Sequence, residues 1–170
     1  MEIAKTEAQE QQREKKMQII VFRLGNEEYG LHIDEIKEVV ITPSIAKIPL
    51  TPSYIKGVAN IRGNILAIID LEEKFGLGQA DGLGVEKKAN YSLVVESHEY
   101  KMAILVKEVP NTLSVTAAQI DTSPALVGQM EEDKNYIKGI IKLENRLVIL
   151  LDIFKVISKR EISQSILQQL

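Results

Sequence analysis

One internal echo restricts this chain's architecture more than any other feature. Tyr54-Ile55-Lys56-Gly57-Val58 returns as Tyr136-Ile137-Lys138-Gly139-Ile140, an offset of 82 positions (136 − 54). The match continues in kind: Ile61 falls on Leu143, Ile65 on Leu147, Leu66 on Val148, Ile69 on Leu151 and Asp70 on Asp152. The aliphatic register and the closing acid survive where identity does not, which implies two similar β-modules. Short strands separated by turn residues suggest two small barrels, because closure removes the exposed edges that invite aggregation. Modules of about 60 residues bury too little surface to be stable alone, so an apolar seam between them is expected, with a groove open to partners.

The rest of the chain is consistent with this plan. Residues 1–16 are rich in Glu, Gln and Lys and read as a frayed or weakly helical tail, with β structure starting near Met17. Gly25-Asn26 supplies a tight turn before Tyr29. In the second arm Tyr29, Leu31 and Ile33 alternate with Gly30, His32 and Asp34, so His32 is expected to point away from the core. Ile33, Ile36 and Val40 have helical spacing over one turn, after which the β-branched run from Val39 to Thr42 resumes strand character. Pro43, Pro49 and Pro52 hold residues 43–53 in an extended connector.

In the repeated unit a two-residue turn is expected at Gly63-Asn64, and Asp70 with Glu73 has the spacing of a helix cap over Leu71 to Phe75. The Gly-rich stretch 76–90 lacks dinucleotide-loop spacing and reads as a flexible linker between halves. Hairpin signals recur at Tyr91 to Val95 and Tyr100 to Val106, and Thr116 with Gln119 marks one capped turn before Pro124.

The chain has 170 residues, 45% of them apolar, which is enough for a sizeable core. It has no cysteine and only two histidines, His32 and His98. That removes disulfides, thiolate nucleophiles and cysteine-ligated zinc, and neither histidine has a suitably spaced partner. No metal site, catalytic residue or cofactor is therefore expected. A net charge of −3 argues against nucleic acid as a partner, since affinity for phosphates comes from clustered Lys and Arg. The aliphatic runs Ile65 to Ile69 and Leu147 to Leu151 are far shorter than the roughly 20 residues of a membrane span, and the first residues lack the pattern of a secretory signal. A cytoplasmic protein without direct membrane insertion is expected.

The segment Ile55-Lys56-Gly57-Val58-Ala59-Asn60-Ile61-Arg62-Gly63-Asn64-Ile65, closed by Ile69-Asp70-Leu71, resembles the bacterial chemotaxis coupling proteins of the CheW family. The likeness is collinear from about Met17 to Ile157. It takes in the Leu24-to-Gly30 turn, the Glu38 segment, the approach from Pro52 to Gly57 and the stretch from Thr116 to Ile120. Ala67 stands where many relatives carry proline.

The resemblance implies a mainly β fold of two similar five-stranded SH3-like β-barrels packed together, with short helical turns and a C-terminal helix. The corresponding organisation is a flexible tail over 1–16, a CheW-like domain of two barrel subdomains over 17–158 and a helical tail over 159–170. It further implies a non-catalytic adaptor, recruited to arrays at the inner face of the membrane. Such an adaptor holds the regulatory domain of the histidine kinase CheA against the cytoplasmic tips of chemoreceptors. The receptor-facing residues it points to are Ile33, Ile36, Glu38, Val39, Lys56, Gly57, Asn60, Arg62 and Gly63, while the kinase-facing residues are left unassigned. Apolar periodicity leaves Ile33, Ile36 and Val39 open as core or groove. Gly57 and Gly139 are open as backbone accommodations or contacts. The same domain also ends CheA and begins CheV, but this length suits a stand-alone coupler, whether its output is flagellar, pilus-linked or another. A small-ligand barrel enzyme is the competing class, and no nucleophile elbow, metal spacing or Walker loop supports it.

Overall fold

The echo in the sequence is an echo in structure. A computed structural model describes residues 2–77, 90–123 and 136–167; most of the expected linker, residues 78–89, and Pro124 lie outside the described residues. Strands β4 (Ile55–Ile61) and β5 (Asn64–Ile69) are reproduced by β10 (Ile137–Leu143) and β11 (Arg146–Leu151), and α2 (Leu71–Phe75) by α3 (Ile153–Val156). Each hairpin carries a bulge at its glycine, between Ile55 and Gly57 and between Ile137 and Gly139. In each, the amide after the second strand returns to the Tyr carbonyl before the first: Asp70 to Tyr54 and Asp152 to Tyr136, both 2.8 Å.

The remaining elements are α1 (Glu2–Glu14), β1 (Lys16–Leu24), β2 (Glu27–His32), a 3-10 turn (Ile33–Glu35), β3 (Ile36–Ile41), β6 (Tyr91–Glu96) and β7 (Lys101–Val106). They continue with β8 (Asn111–Thr116), a second 3-10 turn (Ala117–Gln119), the two-residue β9 (Ile120–Asp121) and α4 (Lys159–Leu167). The first residues, expected as a frayed or weakly helical tail, form α1, and β1 starts one residue before Met17.

The chain forms two compact units, and neither is a consecutive half of the sequence. The first comprises Met1–Val21, Glu28–Ile33 and Asn111–Val156; the second comprises Phe22–Glu27, Asp34–Pro110 and Ile157–Leu170. Sheet order explains the exchange. One sheet runs β8-β1-β2-β11-β10-β9, the other β3-β6-β7-β5-β4. The opening hairpin thus joins the later repeat through the parallel pairing of β2 with β11, and β6-β7 joins the earlier repeat through the parallel pairing of β5 with β7. Local patterning suggests a division at the Gly-rich stretch, but strand partners are chosen by long-range pairing that period and turn signals do not encode.

The first unit closes around Ile19, Val21, Val115, Ile141, Val148 and Leu150. Alternation places the Gly30–His32 face of β2 away from the core. In fact a side chain at Gly30 would come within 2.6 Å of Ile19 Cγ2 and 3.2 Å of Val148 Cγ1, so that face also meets the core; Leu31 on the other is fully buried. A strand covered on both sides does not announce its inner face by alternation.

The second unit packs Ala59, Ile61, Leu66, Ile68, Val94, Ala103 and Leu105, with Val40 and Ile45 against them. Each buried aliphatic side chain contributes about 1.5–3 kcal/mol. The edges β3 and β4 approach closure through the connector between them. Ala46 bridges Val58, with amide-to-carbonyl distances of 2.8 and 2.9 Å in the two directions.

Candidate functional site

Eight of the nine residues singled out by resemblance belong to the second unit, on β3 and on the β4–β5 hairpin; Ile33 belongs to the first. The hairpin turn is Arg62-Gly63, one residue earlier than expected, because Ile61 pairs with Asn64. Both turn residues have positive φ, 52° at Arg62 and 85° at Gly63, as a type I′ connection demands. Glycine adopts this without cost, whereas for arginine it stores strain of about 1 kcal/mol or more. Two contacts hold the strained turn. Asn60 Oδ1 accepts the Gly63 amide at 2.9 Å, and Arg62 Nε donates to Glu38 Oε2 at 2.6 Å.

Glu38 is placed for that pair by a bulge between Ile36 and Glu38 and by alternation with Val40, which packs on the core. Its side chain is only 19% exposed, while that of Arg62 is 75% exposed. The pair therefore links edge strand β3 to the turn after edge strand β4, and leaves most of the guanidinium on the surface. Along the outer row of β3, Val39 is exposed and Ile41 more so, at 79%. Ile65, just beyond the turn, is also exposed. Ile33 and Val39, open in the sequence as core or groove, are surface residues; Ile36 is partly buried.

Gly57 has a different place. It is buried, its φ is 141°, and a Cβ there would lie 2.1 Å from the carbonyl oxygen of Ala46. Its role is to let the connector close on β4. Gly139 is likewise buried; a Cβ added to it would stand 2.7 Å from Ile120 Cγ2 and 3.0 Å from the Asp121 carbonyl oxygen, so both repeat glycines admit a neighbouring backbone. Asn60 spends its side-chain oxygen on the turn.

At the root of the hairpin, Asp70 Oδ1 accepts the amides of Glu72 and Glu73 at 3.0 and 3.3 Å, capping α2, and Gly76 ends it in the left-handed conformation. Lys56 Nζ lies 3.9 Å from Asp70 and 3.8 Å from Glu73. Burial pushes the Asp70 carboxyl upward, against the lowering effect of the amide bonds and Lys56. Asp152 repeats the cap, accepting the Lys155 amide.

Local signals do not disclose a second cluster at this root. Tyr54 Oη donates to Glu161 Oε2 at 3.0 Å, Lys74 Nζ lies 3.2 Å from the same oxygen, and the ammonium sits 4.3 Å from the Tyr54 ring centroid. Burial, then the hydrogen bond and charge of Glu161, push the Tyr54 hydroxyl up to about 12. The partners are separated by 107 and 87 positions, beyond the reach of any spacing rule.

Among the described residues no group of three or more His, Cys, Asp and Glu side chains could hold a metal ion, and no helix is long and apolar enough to cross a membrane. What this geometry offers is a charged and apolar surface on a stiff sheet.

Comparison with known proteins agrees with that character. The CheW-like domain family matches residues 18–161. The "Chemotaxis protein CheW" of Klebsiella aerogenes is 35% identical over 147 residues, covering 86% of this chain and 84% of its own. The crystal structure of the scaffolding protein TtCheW from Thermoanaerobacter tengcongensis superposes with a TM-score of 0.68 at 31% identity, covering 83% of this chain and 88% of that one. A shorter match is the "Protein PilI" of Pseudomonas aeruginosa, 33% identical over 90 residues, 53% of this chain and 48% of its own. With its family match spanning both sheets, the chain belongs to the CheW-like domain family.

Proposed function

We propose that this protein is a non-catalytic chemotaxis adaptor that couples chemoreceptors to the histidine kinase CheA within cytoplasmic signalling arrays. The observation that carries the reading is Arg62, strained at φ 52° and held by Glu38 with three quarters of its side chain in solvent. A strained residue over-determined by its neighbours is a common property of recognition sites. Its guanidinium keeps donors free to meet a carboxylate or carbonyl on a receptor's helical tip. Val39 and Ile36 border Glu38 on β3, and Asn60, Gly63 and Lys56 shape the hairpin that presents Arg62. Ile33, which belongs to the first unit, is exposed in its own 3-10 turn. Gly57 supports this face from within. Coupling works by geometry: each partner shifts the kinase equilibrium only through its differential affinity for the two states.

The test is calorimetric titration with a receptor cytoplasmic-tip fragment and with the CheA regulatory domain. Arg62→Ala is expected to weaken receptor binding by about 1–2 kcal/mol, the range of a modest hot spot, with the fold intact. Arg62→Gly should weaken it similarly while relieving the turn strain, so it unfolds at higher denaturant than Arg62→Ala. Unchanged receptor affinity in both variants refutes the assignment.

The likeness to PilI supports a second reading of the output, in which the same adaptor serves a pilus-linked chemosensory pathway. Co-purification from native cells separates the two by the receptor and kinase recovered.

A further inference from the structure

The charged side chains of the Glu161 cluster are not repeated in sequence at the second hairpin. Tyr54 has its counterpart in Tyr136 and Asp70 in Asp152, but the position of Lys74 is taken by Val156, which is buried, and that of Glu73 by Lys155. The parts shared by both repeats build the hairpin and cap its helix. Lys74 and Glu73 are additions in the repeat that bears Arg62.

Glu161 lies in the first turn of α4, behind Ser158, whose Oγ accepts the Glu161 amide at 3.2 Å. The chain entering α4 is fixed: Ile157 is fully buried and its carbonyl accepts a hydrogen bond from Tyr100 Oη. From that base one Glu161 oxygen reaches both ends of the hairpin root, Tyr54 just before β4 and Lys74 in the last turn of α2. The Tyr54 carbonyl in turn holds the Asp70 amide, and Asp70 and Glu73 face Lys56. The chain of contacts from Glu161 to Lys56 is continuous within the second unit.

We infer that α4 is a clamp on the root of the Arg62 hairpin, with Glu161 a positioning residue that fixes Tyr54, α2 and Lys56 for partner binding. The consequence for receptor binding rests on the function proposed above; the clamp does not. Releasing Glu161 should loosen the two ends of the hairpin while leaving the antiparallel β6–β7 ladder as it is, because no residue of that ladder belongs to the cluster.

Hydrogen exchange on the full chain tests the clamp directly. Glu161→Gln is expected to speed amide exchange in Tyr54–Lys56 and Leu71–Lys74 by about three- to fivefold, as expected when a partly exposed ion pair is lost and the Tyr54 hydroxyl is left with a neutral acceptor. Exchange in β6 and β7 should stay unchanged. Adding Lys74→Met to Glu161→Gln should raise exchange by less than the sum of the two single effects, since both remove the Lys74–Glu161 ion pair and Lys74→Met further removes only its contact with the Tyr54 ring. Unchanged exchange at the root, an even rise throughout the unit, or additive effects overturn the inference. Receptor titration alongside Arg62→Ala separates the two readings. If Arg62→Ala weakens binding and Glu161→Gln does not, the positioning role falls and the receptor face stands. If Glu161→Gln loosens the root and weakens binding by a few-fold, the inference holds; if neither variant alters binding, the receptor face falls and local exchange alone decides the clamp.

Discussion

Replacing Gly57 with alanine should open the closure of the second barrel. The added methyl would stand 2.1 Å from the Ala46 oxygen and 2.8 Å from its carbonyl carbon, whereas a carbon meets a carbonyl oxygen without repulsion at about 3.3 Å or more. The connector must therefore retreat by about 1 Å, which forfeits the reciprocal Ala46–Val58 hydrogen bonds of 2.8 and 2.9 Å. Each is worth about 1 kcal/mol net. Alanine at a φ of 141° adds roughly 1–3 kcal/mol of backbone strain, so the total is about 3–5 kcal/mol. Gly63→Ala is the control: its φ is 85°, but nothing lies within 4 Å of the new methyl, so only strain of about 1 kcal/mol applies. Urea unfolding followed by tyrosine fluorescence, with exchange of the Ile55–Ile61 amides to localise the loss, measures both. If Gly57→Ala costs no more than Gly63→Ala, close approach of the connector is not what glycine serves here.

Two titrations give further checks. Because the Tyr54 hydroxyl is raised from 10.0 to about 12, the unfolded chain releases this proton first. The stability tied to it is complete below about pH 10 and is lost as pH rises through about 12. Tyr54→Phe should flatten that alkaline loss in urea midpoints, and an unaltered slope would exclude Tyr54 as its source. Asp121 behaves oppositely: a hydrogen bond from Lys142, with further bonds from Ser123, lowers it to about 2, so its contribution is present above its ordinary value and lost as pH falls through about 2. Lys142→Met should move the Asp121 carboxyl upward in an NMR titration; no movement would mean that the Ser123 contacts suffice.

Much of the candidate site is legible in the chain itself. Asp70 announces its cap by the Glu three residues on, and Arg62 and Glu38, both singled out by resemblance, meet at 2.6 Å. The turn lies one residue from where composition puts it. Gly63-Asn64 has the composition of a type I′ turn, yet pairing of Ile61 with Asn64 forces Arg62 into positive φ, an arrangement that propensity disfavours and Glu38 sustains. The sequence likewise leaves Gly57 divided between contact and backbone accommodation, because a glycine's reason lies in the atom that would strike its missing side chain. That atom is the Ala46 oxygen.

Period, turn residues and the repeated pentapeptide determined by themselves that the chain makes two like β-modules with capped turns, since these are effects between near neighbours. Tertiary structure decided which hairpin joins which sheet, and that one carboxylate, Glu161, holds Tyr54 and Lys74. Such choices depend on pairing energies between segments tens of residues apart, where many partners satisfy the local pattern and only the assembled fold selects one.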